Sequence, residues 1–163
     1  MISEKMQKAL NDQIQAEMFS SYLYLSMSAC FHNANMDGMA HWMNVQAKEE
    51  NSHAMKIFGY IVERGGSAIP DAIEKPPVEF DGPVDVFEKT LAHEQYITGC
   101  IHNLYGMAVE EKDYASLSTL QWFVDEQVEE EETASGILEL LKMTGDKGQG
   151  LLMLDRQLGG RGG

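Results

Sequence analysis

Six side chains in this sequence have types and spacings suited to holding a pair of divalent cations: Glu17, Glu50 with His53, Glu94, and Gln127 with Glu130. Taken singly, none is informative. A Glu-x-x-His step such as Glu50–His53 is usually an exposed pair on a helix, and a lone Gln127 reads as a satisfied core amide. Their regularity carries the meaning. Glu94, Gln127 and Glu130 lie 77 residues beyond Glu17, Glu50 and His53 respectively, as two similar helical hairpins related by a pseudo-twofold axis would place them. Elsewhere the similarity at that offset is thin (Leu10/Phe87, Ile14/Leu91, Phe19/Tyr96, Glu49/Glu126), so the repeat is one of positions.

A carboxylate buried alone costs several kcal/mol unless it is paired, protonated or bound to a metal. Four facing carboxylates, Glu17, Glu50, Glu94 and Glu130, cannot all ionise without repulsion. Two divalent cations would set +4 against their −4. Oxygen-rich ligation with one imidazole excludes a closed structural zinc site and suits iron or manganese better than calcium. Beside these residues, Glu126, Glu129 and Glu130 are spaced i, i+3, i+4, and Glu49 precedes Glu50. They form either an accessory cation position or a solvated acidic face. Tyr24, seven residues beyond Glu17, is either a core tyrosine with a paired hydroxyl or a redox neighbour of the centre. His32, His41, His93 and His102 fall on no ligand stripe and stay unassigned.

Helices must position these groups. Proline is confined to 70–83, which leaves long uninterrupted segments on either side. The first runs from about Ser3, an N-cap, to Phe31 or His32; the second follows Asn33–Gly38 and stops at Arg64 before Gly65-Gly66. Ser67–Gly82 reads as an extended connection. The third begins near Pro83 and ends near Lys112, and the fourth runs from an Asp113 cap to about Met143. Heptad stripes follow: Met6, Leu10, Gln13, Glu17, Ser20, Tyr24, Met27, Phe31; then Met39, Met43, Gln46, Glu50, His53, Ile57, Tyr60. The third is Val84, Phe87, Leu91, Glu94, Thr98, Ile101, Tyr105, Ala108, and the fourth Leu120, Phe123, Gln127, Glu130, Ala134, Ile137, Leu141. Each helix is ~28 residues or ~42 Å long, and the connection of ~16 residues could span ~50 Å. The fold class expected is all-α: a four-helix bundle with one long crossover between its second and third helices. A short fifth helix follows at Leu151–Leu158. Every stripe is apolar at its ends and polar at its centre, so the six groups meet at one depth, and no Lys or Arg shares that level.

Composition bounds the rest. With 163 residues and 44% hydrophobic side chains the chain forms one domain, 1–158, followed by a glycine-rich tail, 159–163. Twenty-six acids against 12 bases give −14, which disfavours nucleic acid and anionic membranes as partners. No apolar run approaches the length of a membrane span, and the N-terminus lacks the features of a secretory signal. Cys30 and Cys100 form no framework, which fits a reducing cytoplasm and a role as small buried hydrophobes. The 11 methionines suit adaptable packing. Phe19, Tyr22, Trp42 and Trp122 lie off the stripes, and some should be covered by neighbouring copies in a closed symmetric homo-oligomer.

At these residues the chain resembles the ferritins of the non-haem bacterial and archaeal type, over essentially its whole length. The resemblance rests on Ala16-Glu17, on Tyr22 to Leu25, on Glu49-Glu50-Asn51-Ser52-His53-Ala54, on His93-Glu94, and on Gln121 to Glu131. It implies a ferroxidase centre in which Glu17 and His53 are terminal ligands of one iron, Glu50 bridges, and Glu94 with Glu130 hold the second. Gln127 would hydrogen-bond the bound oxygen species, and Tyr24 would stand near the centre. Glu49, Glu126, Glu129 and Glu130 match a third iron site. The implied chemistry is oxidation of two Fe(II) by dioxygen, or peroxide, through a diferric intermediate. Storage as ferric oxyhydroxide would follow inside a shell, usually of 24 subunits. No haem is expected, because Gln127-x-x-Glu130 stands where bacterioferritins repeat Glu-x-x-His, and Ser52 replaces their haem-binding methionine. Leu117 and Leu120 stand where animal ferritins place pore acids, so that iron-entry route does not transfer. Some archaeal relatives assemble with a more open symmetry. The competing function is that of a di-iron peroxidase like rubrerythrin, whose usual CxxC-bearing domain has no counterpart here.

Overall fold

A computed structural model describes residues 1–163 as five helices and no strand: α1 (Glu4–Asn33), α2 (Asp37–Glu63), α3 (Pro83–Glu111), α4 (Tyr114–Thr144) and α5 (Gln149–Gly159). Local chemistry sets most of the ends. Ser3 Oγ accepts from the Met6 amide, and Asp113 accepts from the Ser116 amide, so each supplies an acceptor to an otherwise unpaired N–H of the first turn. Pro83, which has no N–H to leave unsatisfied, opens α3. Past α2 the chain turns at Gly65, whose φ of +73° favours glycine.

Helix α1 packs on α2 and α3 on α4, with α1 also touching α3. The apolar interior divides into two blocks. One joins Met6, Leu10, Ile57, Ile61, Ile101, Leu104, Leu120 and Phe123; the other joins Tyr24, Met27, Phe31, Met39, Met43, Phe87, Leu141 and the buried leucines of α5. The first block takes the N-terminal ends of α1 and α4 and the C-terminal ends of α2 and α3, so α1 and α4 run parallel to each other and opposite to α2 and α3. Residues 64–82 must therefore return along the bundle to start α3, which is the long crossover the sequence predicts. Helix α1 holds this strap in sequence order: Asn11 donates to Ser67 O at 3.0 Å, Gln15 to Ala72 O, and Ser26 to Pro77 O at 2.5 Å. At one end Arg64 forks onto Asp113 with contacts of 3.0 and 3.2 Å, tying the end of α2 to the start of α4.

The stripes expected on α1, α2 and α4 are buried at every position. On α3 the structure differs. Phe87, Glu94, Ile101 and Ala108 are buried, but their companions are Val86, Thr90, Ile97 and Leu104; Val84, Leu91, Thr98 and Tyr105 are only half-buried. Both sets obey heptad spacing. Which flank of α3 closes onto its neighbours decides between them, and that is a tertiary fact. Trp42, off the stripe of α2, needs no neighbouring copy to cover it. It is buried within its own chain against Phe87, with ring centroids 5.4 Å apart, while Tyr22 and Trp122 stay open to solvent.

Candidate metal centre

Between the two apolar blocks lies a layer of buried polar side chains: Gln13, Glu17 and Ser20 on α1, Gln46, Glu50 and His53 on α2, Glu94 on α3, Gln127 and Glu130 on α4. Helical steps of three and four put the groups of each helix on one inward face. Similar helix lengths, 27 to 31 residues, bring the four faces to one level. Three overlapping groups have ligand atoms within 4.8 Å of one another: Glu17, Glu50 and His53; Glu50, Glu94 and Glu130; and His53, Glu126 and Glu130. Glu50 belongs to the first two, so it is placed to bridge them.

Each carboxylate is steered by a neighbour. Gln13 Nε2 donates to Glu17 Oε1 at 2.8 Å, and Gln46 Nε2 donates to both Glu50 Oε1 at 2.9 Å and Glu130 Oε2 at 2.8 Å. Tyr24 donates its hydroxyl proton to Glu94 Oε1, and Gln127 Nε2 donates to Glu94 Oε2 at 3.1 Å. His53 Nδ1 lies 3.2 Å from Glu50 Oε2, and its ring is wedged edge-on against Trp122 and Phe123. Glu17 Oε2 is buried with no hydrogen-bond partner, the one side-chain atom of the molecule so placed. A bound cation or an ordered water is the kind of partner such an oxygen calls for.

Burial dominates the electrostatics. It holds Glu17 well above the usual carboxylate range, with Glu50 adding to the shift. Burial also raises Glu50 strongly, helped by the charges of Glu94 and Glu130. Glu94 is raised for the same reason, against the lowering effect of its bonds from Tyr24 and Gln127. Glu130 is pushed up to about 7, first by burial and then by Glu94. The Tyr24 hydroxyl is held firmly protonated by burial and by Glu94. No Lys or Arg pairs with any of these four carboxylates. Four closely packed carboxyl groups, an orphaned carboxyl oxygen and a single imidazole form a donor set that fits two hard or borderline divalent cations.

The structure brings Glu17, Glu50, His53, Glu94, Gln127, Glu130 and Tyr24 together. It treats the accessory acids differently. Glu126 is half-buried, 3.9 Å from His53 Nε2, while Glu129 is exposed and Glu49 is engaged by Arg161 at 2.6 Å. Three residues that sequence reasoning left unassigned prove to be structural neighbours of the site. Gln13 and Gln46, each one helical turn before a glutamate on the same stripe, were visible as polar stripe positions. His93 was not: it is half-buried beside Tyr24, its Nε2 lies 2.7 Å from Ser20 Oγ, and desolvation lowers its pKa to about 4.

Comparison with known proteins gives this layout a context. The ferritin-like domain family matches residues 7–144. A bacterial non-heme ferritin of Bacteroides fragilis is 47% identical over 161 residues, 99% of this chain and 100% of that one. A probable bacterial non-heme ferritin-like protein of Haemophilus influenzae is 44% identical over 98% of this chain and 96% of its own. Among solved structures, an open pore ferritin from Archaeoglobus fulgidus superposes with a TM-score of 0.98 at 48% identity, covering 99% of this chain and 100% of that one. Fold, helix order and full-length identity agree, and the chain belongs to the ferritin family.

Proposed function

We propose that this protein stores iron, oxidising Fe(II) with dioxygen at the buried centre and retaining the product as ferric oxyhydroxide within an assembly of its own copies, expected to number 24. The observation that carries the reading is a pair of ligand groups that share Glu50, namely Glu17, Glu50 and His53 and then Glu50, Glu94 and Glu130, with Glu17 Oε2 left without a hydrogen-bond partner. Fe(II) is substrate and cargo here. Glu17 and His53 are the terminal ligands of one ion, Glu50 bridges, and Glu94 and Glu130 hold the second. Two Fe(II) at adjacent positions would each give up one electron, so that one dioxygen with two protons from solvent would become hydrogen peroxide and both ions Fe(III), a two-electron change that a single ferrous ion cannot supply.

The surrounding residues have separate tasks. Gln13 and Gln46 aim the carboxylates of Glu17, Glu50 and Glu130. Tyr24 orients Glu94, and its proton lies beside the reacting pair. Gln127, whose amide already donates to Glu94, is the candidate donor to an oxygen species in the centre. A third Fe(II) at Glu49, Glu126, Glu129 and Glu130 requires Glu49 to leave Arg161 and Glu129 to turn inward. This reading assigns no haem and places the protein in the cytoplasm; no helix of the chain is long and apolar enough to cross a membrane.

Aerobic loading tests the proposal. Native mass combined with iron counted per chain should give hundreds of irons per assembly and a ferric oxyhydroxide signature. Two irons per chain, with consumption of hydrogen peroxide and no mineral, would instead favour a rubrerythrin-like peroxidase.

A further inference from the structure

The polar layer receives no Lys or Arg from the helices that build it, yet one guanidinium reaches its edge from the far end of the chain. At the end of α5, where a Cβ added at Gly159 would lie 3.1 Å from Gly38 Cα, the chain folds back on α2. The Gly160 amide bonds to Gln157 O at 3.1 Å and the Arg161 amide to Leu158 O at 3.2 Å. His41 Nε2 lies 2.8 Å from the Arg161 carbonyl oxygen, and the guanidinium stacks 4.4 Å above the Trp42 ring. From there Arg161 Nη1 donates to Gln46 Oε1 at 2.9 Å, and Nη2 donates to Glu49 Oε2 at 2.6 Å. The arginine side chain is itself largely buried, at 21% exposure.

Gln46 is the link that gives this contact a consequence. It is 1% exposed, and its Nε2 spans Glu50 on its own helix and Glu130 on α4. An amide can turn end over end at little cost unless its partners forbid it. A guanidinium has donors only, so Arg161 demands the oxygen of Gln46 and leaves the NH2 group to the two carboxylates. The opposite orientation would set an NH2 against a cation and an oxygen against two acids. Resting on the reading of the centre as a two-metal site, we infer that Arg161 is a positioning residue which acts through Gln46 to hold Glu50 and Glu130 at their working separation.

Co(II), added alone under nitrogen, is the probe, because its d–d absorption reports the geometry of its ligands without iron oxidation. The variants are R161A, R161K, Q46M and the R161A/Q46M double, each checked for helicity and for wild-type assembly by light scattering. Q46M should weaken the tight Co(II) binding roughly ten-fold and alter the d–d bands, as expected when a ligand loses its hydrogen-bonding partner. R161A should weaken it about three-fold with the bands shifted the same way, since it disorders the amide without removing it. The double variant should bind no more weakly than Q46M, because nothing remains for Arg161 to orient. R161K carries the charge without the planar fork and should not restore the bands. R161A with unchanged affinity and bands, additive losses in the double variant, or full rescue by lysine would each overturn the inference. Wild type that binds no Co(II) would overturn the metal centre itself, a different failure from a centre that binds normally in R161A.

Discussion

Glu50 is the one carboxylate shared between the two groups that would hold the metal pair, and the division of labour among the acids hinges on it. Removing Glu50 takes a ligand from both positions, whereas removing Glu129, exposed on α4, takes one from neither. Glu50→Ala should therefore lower the rate of the initial oxygen-dependent Fe(II) oxidation by at least about 100-fold while the bundle stays helical. Glu129→Ala should leave that burst near wild type and change the iron-to-oxygen stoichiometry or later turnover. Stopped-flow absorbance on both variants decides the matter, and equal loss of the burst would dissolve the distinction. At this scale much was legible from spacing: the six ligand-type residues share one buried layer, and Tyr24, which spacing left open between a core and a redox role, donates to Glu94 at its edge. What was hidden has a common cause. Arg161 meets Gln46 across 115 residues from a glycine-rich tail, and His93 meets Ser20 across 73; such contacts leave no periodic trace in a chain.

At the scale of elements, helices came through clearly because their burial patterns repeat, and α3 shows the limit. Its sequence carries two overlapping heptad registers through Phe87, Glu94, Ile101 and Ala108, and only the packed neighbours select one. The docking of α5 on α2 was equally beyond the sequence. Asp155 Oδ1 accepts from the Met39 amide at 2.8 Å, so α5 provides α2 with the N-terminal acceptor its own Met36 lacks. The two backbones touch: a methyl added at Gly38 would fall 1.7 Å from the Asp155 carbonyl oxygen. Gly38→Ala should consequently push α5 off and expose Leu151, Leu154 and Leu158, each worth about 1.5–3 kcal/mol of burial. Hydrogen exchange over residues 149–163 should rise sharply, and the melting temperature should drop. Because Arg161 travels with α5, the Co(II) bands should move as in R161A. Wild-type exchange in G38A would show that α5 is not held in this way.

The whole molecule faces two demands that one chain cannot meet alone. Tyr22, Leu25, Met55, Ile69, Tyr96, Leu152 and Met153 are each about half exposed or more, so a lone subunit presents extensive apolar surface to water. Light scattering at micromolar concentration should find a closed homo-oligomer, and a stable monomer-sized species would refute it. The second demand is electrostatic. In buffer freed of divalent cations, carboxyls raised by burial bind protons that the unfolded chain releases, so folding takes up protons. Stability from such groups is full below their ordinary range near 4.3 and falls as pH rises through the folded values, about 7 for Glu130 and well above normal for Glu17 and Glu50. His93 works in the opposite sense. Lowered to about 4, it costs stability only when pH drops below its unfolded value near 6.5. Above pH 6.5 the acids act without that opposition. Between pH 6.5 and 8 the cation-free protein should lose about 1.4 kcal/mol per pH unit for each proton retained in the fold, seen as a falling melting temperature. Co(II), which takes the place of those protons, should flatten the slope and release protons on binding that calorimetry in buffers of different ionisation enthalpy can count. A flat profile without cations, together with no proton release, would mean that the four acids are already ionised in the folded core and that some other charge compensates them.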